Sequence, residues 1–220
     1  MFRSARASVG GMWYHALNRG NRREVVFHKP GDYDAFVEAM VDARKRLPVD
    51  LLGYCLMPNH FHLVFRPHQD GDLGRWMQWL LTAHARRYHR HYGTTGHVWQ
   101  GRFKAFPIAD DGHLVTVLRY VERNAVRAEL VPKAEDWSWS SLPGWLRGDP
   151  LLWRGEIPVR DEKWLERVNE PLSAADLQRL RHSVSRGRPF GGEPWTRETA
   201  TRPGLESRLR PRGRPRKEKS

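Results

Sequence analysis

The 220-residue sequence predicts an α+β fold: an antiparallel sheet of the split βαβ type with helices on one face, an added C-terminal helix and a basic tail. Three observations carry this. Strand-like apolar runs and stretches of helical periodicity follow in the order β-α-β-β-α-β-α. The turn pair Pro58-Asn59 splits two adjacent apolar runs, which reads as a hairpin. From Ser185 onward Arg, Gly and Pro dominate, a composition that supplies no core.

Taken in order, residues 12–19 (MWYHALNR) read as a strand ended by Gly20-Asn21. From Asp32 to Leu47, Phe36, Val37, Met40 and Val41 recur at helical spacing, and Pro48 stops the run. Residues 50–57 and 60–66 form the hairpin. Trp76, Trp79, Leu80 and Ala83 mark a second helix from Leu73 to Tyr92, broken by Gly93 to Gly96. HVWQGRFKAFPI (97–108) reads as a strand, and 111–130 as an amphipathic helix capped by Asp111. The first six elements fit a ferredoxin-like sheet, and the seventh is the added helix. Residues 146–184 are expected to wrap the core, and Ser173 with Asp176 forms a capping box for a short helix to about Val184. The tail, 185–220, is expected to be disordered when unbound.

Formal net charge is +13, and residues 181–220 carry twelve Lys/Arg against four Asp/Glu. A basic body with a more basic tail favours a polyanion, nucleic acid first. One cysteine, Cys55, excludes an internal disulfide framework and suits a reducing compartment. No apolar stretch is long enough to span a bilayer, and the N-terminus lacks the apolar core of a secretory signal. A cytoplasmic protein with no membrane partner is expected.

Within the second hairpin strand stands His60-Phe61-His62. Side chains at i and i+2 on a strand share a face, so the two imidazoles point together while Phe61 and Leu63 turn to the core. Such a pair is either two satisfied core imidazoles or a chelating pair for one divalent cation. His89 and His91 share the spacing but lie on a helix, where two residues turn through about 200°, so they diverge. On the helix 111–130, Leu114, Val117, Leu118, Val121 and Ala128 form the packing stripe. Tyr120 and Asn124, at i and i+4, share one flank of it. The tyrosine is either a border residue with its hydroxyl in water or a nucleophile beside an amide ligand.

These motifs together resemble a known family. MPNHFHLV resembles the His-hydrophobic-His signature of the HUH single-strand DNA nucleases. The run YHALNRGNRREVVF, LMPNHFHLVF, VWQGRFKAFPI, LRYVERNAVRAELV and EDWSWSS looks like the one-tyrosine transposases. The tail, RHSVSRGRPFG with GLESRLRPRGRPRK, resembles their domesticated bacterial branch, the REP-associated tyrosine transposases. The likeness covers 12–145 well and 171–217 more loosely. Asn124 is followed by Ala125 where compared family members often carry proline.

The resemblance implies that 12–145 is the nuclease domain, with His60, His62 and Asn124 as ligands of Mg²⁺ or Mn²⁺ and Tyr120 as the nucleophile. It implies nicking and strand transfer on single-stranded DNA hairpins of repetitive extragenic palindromes, through a 5′-phosphotyrosine, by a nucleoid-associated monomer or a dimer. A non-catalytic hairpin-binding protein on the same scaffold is the alternative reading. A third is a metal-dependent phosphodiesterase with a structural Tyr120. Candidate DNA contacts are Arg19, Arg22, Arg23, Arg102 and Lys104, with Trp99 and Phe103 as stacking partners. Arg212, Arg214 and Arg216 in RGRPRK resemble a minor-groove hook, and Arg186-Gly187-Arg188-Pro189 repeats its core. The simpler reading of the tail is non-specific phosphate binding.

Overall fold

The structure is a computed structural model that describes residues 8–109, 112–155 and 160–202. Four strands, β1 (Trp13–Arg19), β2 (Val49–Met57), β3 (His60–Pro67) and β4 (Lys104–Ile108), form one antiparallel sheet in the order β2-β3-β1-β4. Helices α1 (Pro30–Arg46) and α2 (Asp72–Tyr92) are the crossovers between them. This is the ferredoxin-like order expected from the sequence.

The period-2 pattern of β3 decides its two faces. Phe61, Leu63 and Phe65 enter a core with Phe36, Met40, Trp76 and Leu80, which are the stripes of α1 and α2. The opposite positions face a second core. There Val64, with Trp13, Cys55 and Met57, packs under Leu114, Val117, Leu118 and Val121 of α3 (Gly112–Glu122). The added helix therefore covers the sheet face that α1 and α2 leave open. Gly53, at a register shift in β2, permits this, because a Cβ there would sit 2.3 Å from Leu118 Cδ1. Cys55 lies fully buried in this layer, and burial pushes its thiol pKa up, in keeping with a core role.

Three segments differ from the sequence expectation. Only Lys104–Ile108 of the run 97–108 is strand. Gly101 adopts φ +94°, and Asn21 N–H donates to the Val98 carbonyl, so the preceding residues turn under the β1 end instead of extending. The helix expected over 111–130 divides at Arg123 into α3 and the single turn α4 (Asn124–Arg127), and the Asp111 cap lies outside the described residues. The tail expected to be disordered from Ser185 is ordered as far as it is described. Helix α7 (Ala174–Arg186), capped by Ser173 as expected, ends at Gly187 in the left-handed conformation. Phe190 then pairs beside β4, and α8 (Glu193–Thr201) follows. Gly187 is thus a helix cap and Arg188 pairs with Glu193, so Arg186–Pro189 is not an extended hook.

Between these, the segment carrying α5 (Ser141–Arg147) and α6 (Trp164–Asn169) packs on the second core through Leu142, Trp164 and Val168. It is anchored by an ion pair between Glu122 at the end of α3 and Arg160, 2.5 Å apart and almost wholly buried. Glu122 also accepts from Ser141 Oγ at 2.6 Å and Trp164 Nε1 at 2.8 Å.

Candidate active site

The structure brings His60, His62 and Tyr120 together within one chain. His60 and His62 leave β3 on the α3 side, with ring centroids 5.1 Å apart. Tyr120 descends from α3 with its ring 5.7 Å from that of His62. Because α3 roofs this face, the tyrosine is only 7 % exposed, which differs from a border residue with its hydroxyl in open water.

A residue that the sequence reading missed completes the cluster. His15 of β1 stacks on His62, and its Nε2 lies 2.9 Å from His62 Nδ1. The signal was an imidazole inside the apolar run of β1, but its meaning depends on the register that sets Leu17 opposite His62 and Val64 opposite His15. Burial pushes the His15 pKa down to about 3 and that of His60 to about 4. His62 falls well below its ordinary value, first through burial, then through His15, His60, Arg127 and Arg19. All three are neutral near pH 7, the form that binds metal.

Asn124 is fully buried, its Oδ1 accepting from Arg127 Nη2 at 2.9 Å. The Arg127 guanidinium also lies over the Tyr120 ring, 5.5 Å from its centroid. Arg127 stands seven residues past Tyr120 and three past Asn124, so helical spacing was the available signal, and it went unread.

The residues fit a divalent cation in their donor chemistry. His60 Nδ1 is engaged by Asn59 Oδ1 at 2.7 Å, an acceptor, so Nε2 is left with a free lone pair. Asn124 Oδ1 has two lone pairs, of which Arg127 takes one, so the second is the one available to a cation, whereas its unpartnered Nδ2 is a donor and does not ligate. Among the described residues no three His, Cys, Asp or Glu side chains form a cluster able to hold a metal. Two imidazoles, an amide oxygen, water and a phosphate oxygen are the donors available.

Arg19 pairs in register with His60, and Arg19, Arg22, Arg23, Arg102 and Lys104 are exposed as their DNA-contact reading requires. Arg22 and Arg23 sit in a tight turn with φ of +51° and +65°. Two stacking assignments are corrected. Trp99 is buried against Phe27, Phe36, Phe61 and His84, and Phe103 is buried in the same core, so neither presents a face to a base. Folding under β1 rather than along it turned these rings inward. His89 and His91 do diverge, one contacting Thr94 and the other Lys29. Arg212, Arg214 and Arg216 lie outside the described residues.

His84 in the opposite core is also driven down to about 4 by burial. An unfolded imidazole titrates near 6.5, so the unfolded chain takes up the proton first as pH falls. Stability is expected to be complete above about pH 6.5 and to drop toward pH 4, by roughly 3 kcal/mol from His84 alone. Urea midpoints at pH 7, 5.5 and 4 measure this, and His84→Phe is expected to flatten the slope.

A ferredoxin-like sheet with paired imidazoles on a central strand, under a helix that lowers a tyrosine onto them, is the arrangement of a single-tyrosine transposase. The chain belongs to the IS200-like transposase family, whose members match residues 8–124, just over half of its length. Its likeness is to the REP-associated branch. It is 28 % identical over 145 residues to a Haemophilus influenzae protein assigned by name as a REP-associated tyrosine transposase, covering 60 % of this chain and 80 % of that one. In fold it matches the structure of a REP-associated tyrosine transposase bound to a REP hairpin, with a TM-score of 0.54, 22 % identity, and 79 % and 99 % of the two chains covered. A Deinococcus radiodurans structure assigned as a transposase matches more loosely, with a TM-score of 0.40, 17 % identity, and 56 % and 97 % covered. No described helix is long and apolar enough to cross a membrane.

Proposed function

We propose that this transposase is a metal-dependent nickase and strand transferase for single-stranded hairpin DNA of the REP type. The observation that carries the reading is the meeting of Tyr120 with His60 and His62 inside one chain. Each site is then complete in a monomer. The Haemophilus influenzae relative and the hairpin-bound structure support the substrate class.

His60 and His62, with Asn124 as the third donor, would hold Mg²⁺ or Mn²⁺, which supplies Lewis-acid polarisation of the scissile phosphate. The protein's own groups do the rest. Tyr120 Oη attacks phosphorus and loses its proton, the P–O3′ bond breaks, and the 3′-oxygen leaves as a hydroxyl after taking up a proton. The product is a 5′-phosphotyrosine that a second 3′-hydroxyl can reverse. Arg127, over the phenol ring, favours the developing phenolate electrostatically. Arg19, Arg22, Arg23, Arg102 and Lys104 provide exposed positive charge for the DNA backbone. Arg212, Arg214 and Arg216 add charge for the hairpin, in the minor groove or on phosphates.

Incubation of a 5′- or 3′-labelled hairpin oligonucleotide with the protein and Mn²⁺ tests this on a denaturing gel. Expected is a protein–DNA adduct on the strand 3′ of the nick, abolished by EDTA. Hairpin binding with no cleavage under any divalent cation favours a binding protein on the same scaffold.

A further inference from the structure

The turn Pro58-Asn59 between β2 and β3 is stitched to the arginine loop that follows β1. Gly20 N–H donates to the Asn59 carbonyl at 2.7 Å, and Val26 and Phe27 N–H both donate to the Pro58 carbonyl, at 2.8 and 3.1 Å. The Asn59 side chain joins this unit to the site. Its Nδ2 donates to the Arg23 carbonyl at 3.0 Å, and its Oδ1 meets His60 Nδ1 at 2.7 Å.

The chemistry of these partners leaves one solution. A backbone carbonyl only accepts, so the amide must turn Nδ2 toward Arg23 and Oδ1 toward His60. An amide oxygen also only accepts, so His60 Nδ1 must carry the proton. In a neutral imidazole the other nitrogen, Nε2, is then bare. The carbonyl that sets this chain of donors belongs to Arg23, whose φ of +65° places it in the left-handed region that non-glycine residues adopt at a cost.

We propose that Asn59 is a positioning residue: it relays the orientation of the Arg23 carbonyl to His60 and locks that imidazole in the Nδ1–H tautomer, with Nε2 presented to the metal. The proposal rests on the reading of His60 as a ligand. Its structural part, the tautomer, exists without metal. It also makes the arginine loop and the metal ligand one mechanical unit, so that DNA held by Arg22 and Arg23 bears on the seating of His60. Partners of this kind typically change metal affinity by about 10- to 100-fold when removed.

The experiment measures two things on the full chain. The tautomer of His60 is read in the metal-free protein at neutral pH from two-bond ¹H–¹⁵N couplings, the signal being assigned by its loss in His60→Gln. Affinity for Mn²⁺ alone is read by titration. Wild type is expected to show Nδ1–H. Asn59→Ala is expected to shift His60 toward Nε2–H and to weaken Mn²⁺ binding by about tenfold or more. Asn59→Asp keeps an acceptor for Nδ1 but loses the donor to Arg23, so it is expected to restore the Nδ1–H tautomer but not the full Mn²⁺ affinity, because the link to the arginine loop is cut. Its result stands even if the alanine variant does not fold: an Nε2–H tautomer there overturns the proposal, as does an unchanged Nδ1–H population in Asn59→Ala. A wild type that takes up no Mn²⁺ sinks the metal reading of the site, and the tautomer result then judges Asn59 separately.

Discussion

Tyr120→Phe is expected to abolish the covalent protein–DNA adduct and to reduce hairpin cleavage by about 10³-fold or more, the scale of loss when a nucleophile is deleted. The argument is local. The substitution removes one oxygen from a ring that keeps its packing on α3, its edge contacts with His62 and His15, and its guanidinium neighbour Arg127. Hairpin affinity and thermal stability are therefore expected to stay near wild type, which isolates the chemistry. A denaturing gel with labelled oligonucleotide and Mn²⁺, beside a binding titration in EDTA, measures both. Cleavage at the wild-type rate in Tyr120→Phe would mean that water attacks the phosphate and that the tyrosine is structural. The phosphodiesterase reading would then replace the transferase one.

Glu122→Ala is expected to destabilise the fold by about 3–5 kcal/mol, because it strips the counter-charge from a buried arginine. Glu122 is fully buried, and three donors from the segment carrying α5 and α6 converge on it: Arg160, Ser141 and Trp164. Arg160 Nε and Nη1 have no hydrogen-bond partner, so its charge leans on Glu122, on the Leu52 carbonyl that accepts from Nη2 at 2.8 Å, and on the rings of Trp145 and Trp164, 4.4 and 5.8 Å away. Removing the carboxylate leaves a cation in a dry layer. Glu122 stands two positions past Tyr120 on the same helix, so the same lesion is expected to loosen the nucleophile's helix and lower cleavage at temperatures where the fold survives. Urea unfolding with Glu122→Ala and Glu122→Gln measures the first effect. A shift in the urea midpoint corresponding to less than about 1 kcal/mol would show that water reaches Arg160 and that the anchor is unnecessary.

Much of the architecture was legible in local pattern. The i, i+2 rule placed His60 and His62 on one face of β3, and helical spacing placed Phe36, Met40, Trp76 and Leu80 on the stripes that meet Phe61 and Leu63. The cap at Ser173 was readable because an N-cap is a four-residue event. Local reasoning failed where a distant surface decided. Trp99 and Phe103 have the composition of stacking residues, yet the chain turns at Gly101 and drives them into the core. Residues 187–202 have the composition of a loose tail, yet they find the free edge of β4 through Phe190.

For this protein the sequence alone determined the kind of chemistry available: a paired imidazole on a strand, a phenol on a late helix, and a strong positive charge. Each depends on spacing within a few residues or on composition, and those survive without knowledge of the fold. Only the tertiary structure decided that His15 reaches His62, that Asn59 ties His60 to the Arg23 carbonyl, and that Tyr120 stands over the imidazole pair in the same chain. These contacts join residues from β1, the β2–β3 turn and α3. Strand register and the seating of a helix on a sheet bring them together, and both are set by burial summed over the whole core rather than by any one segment.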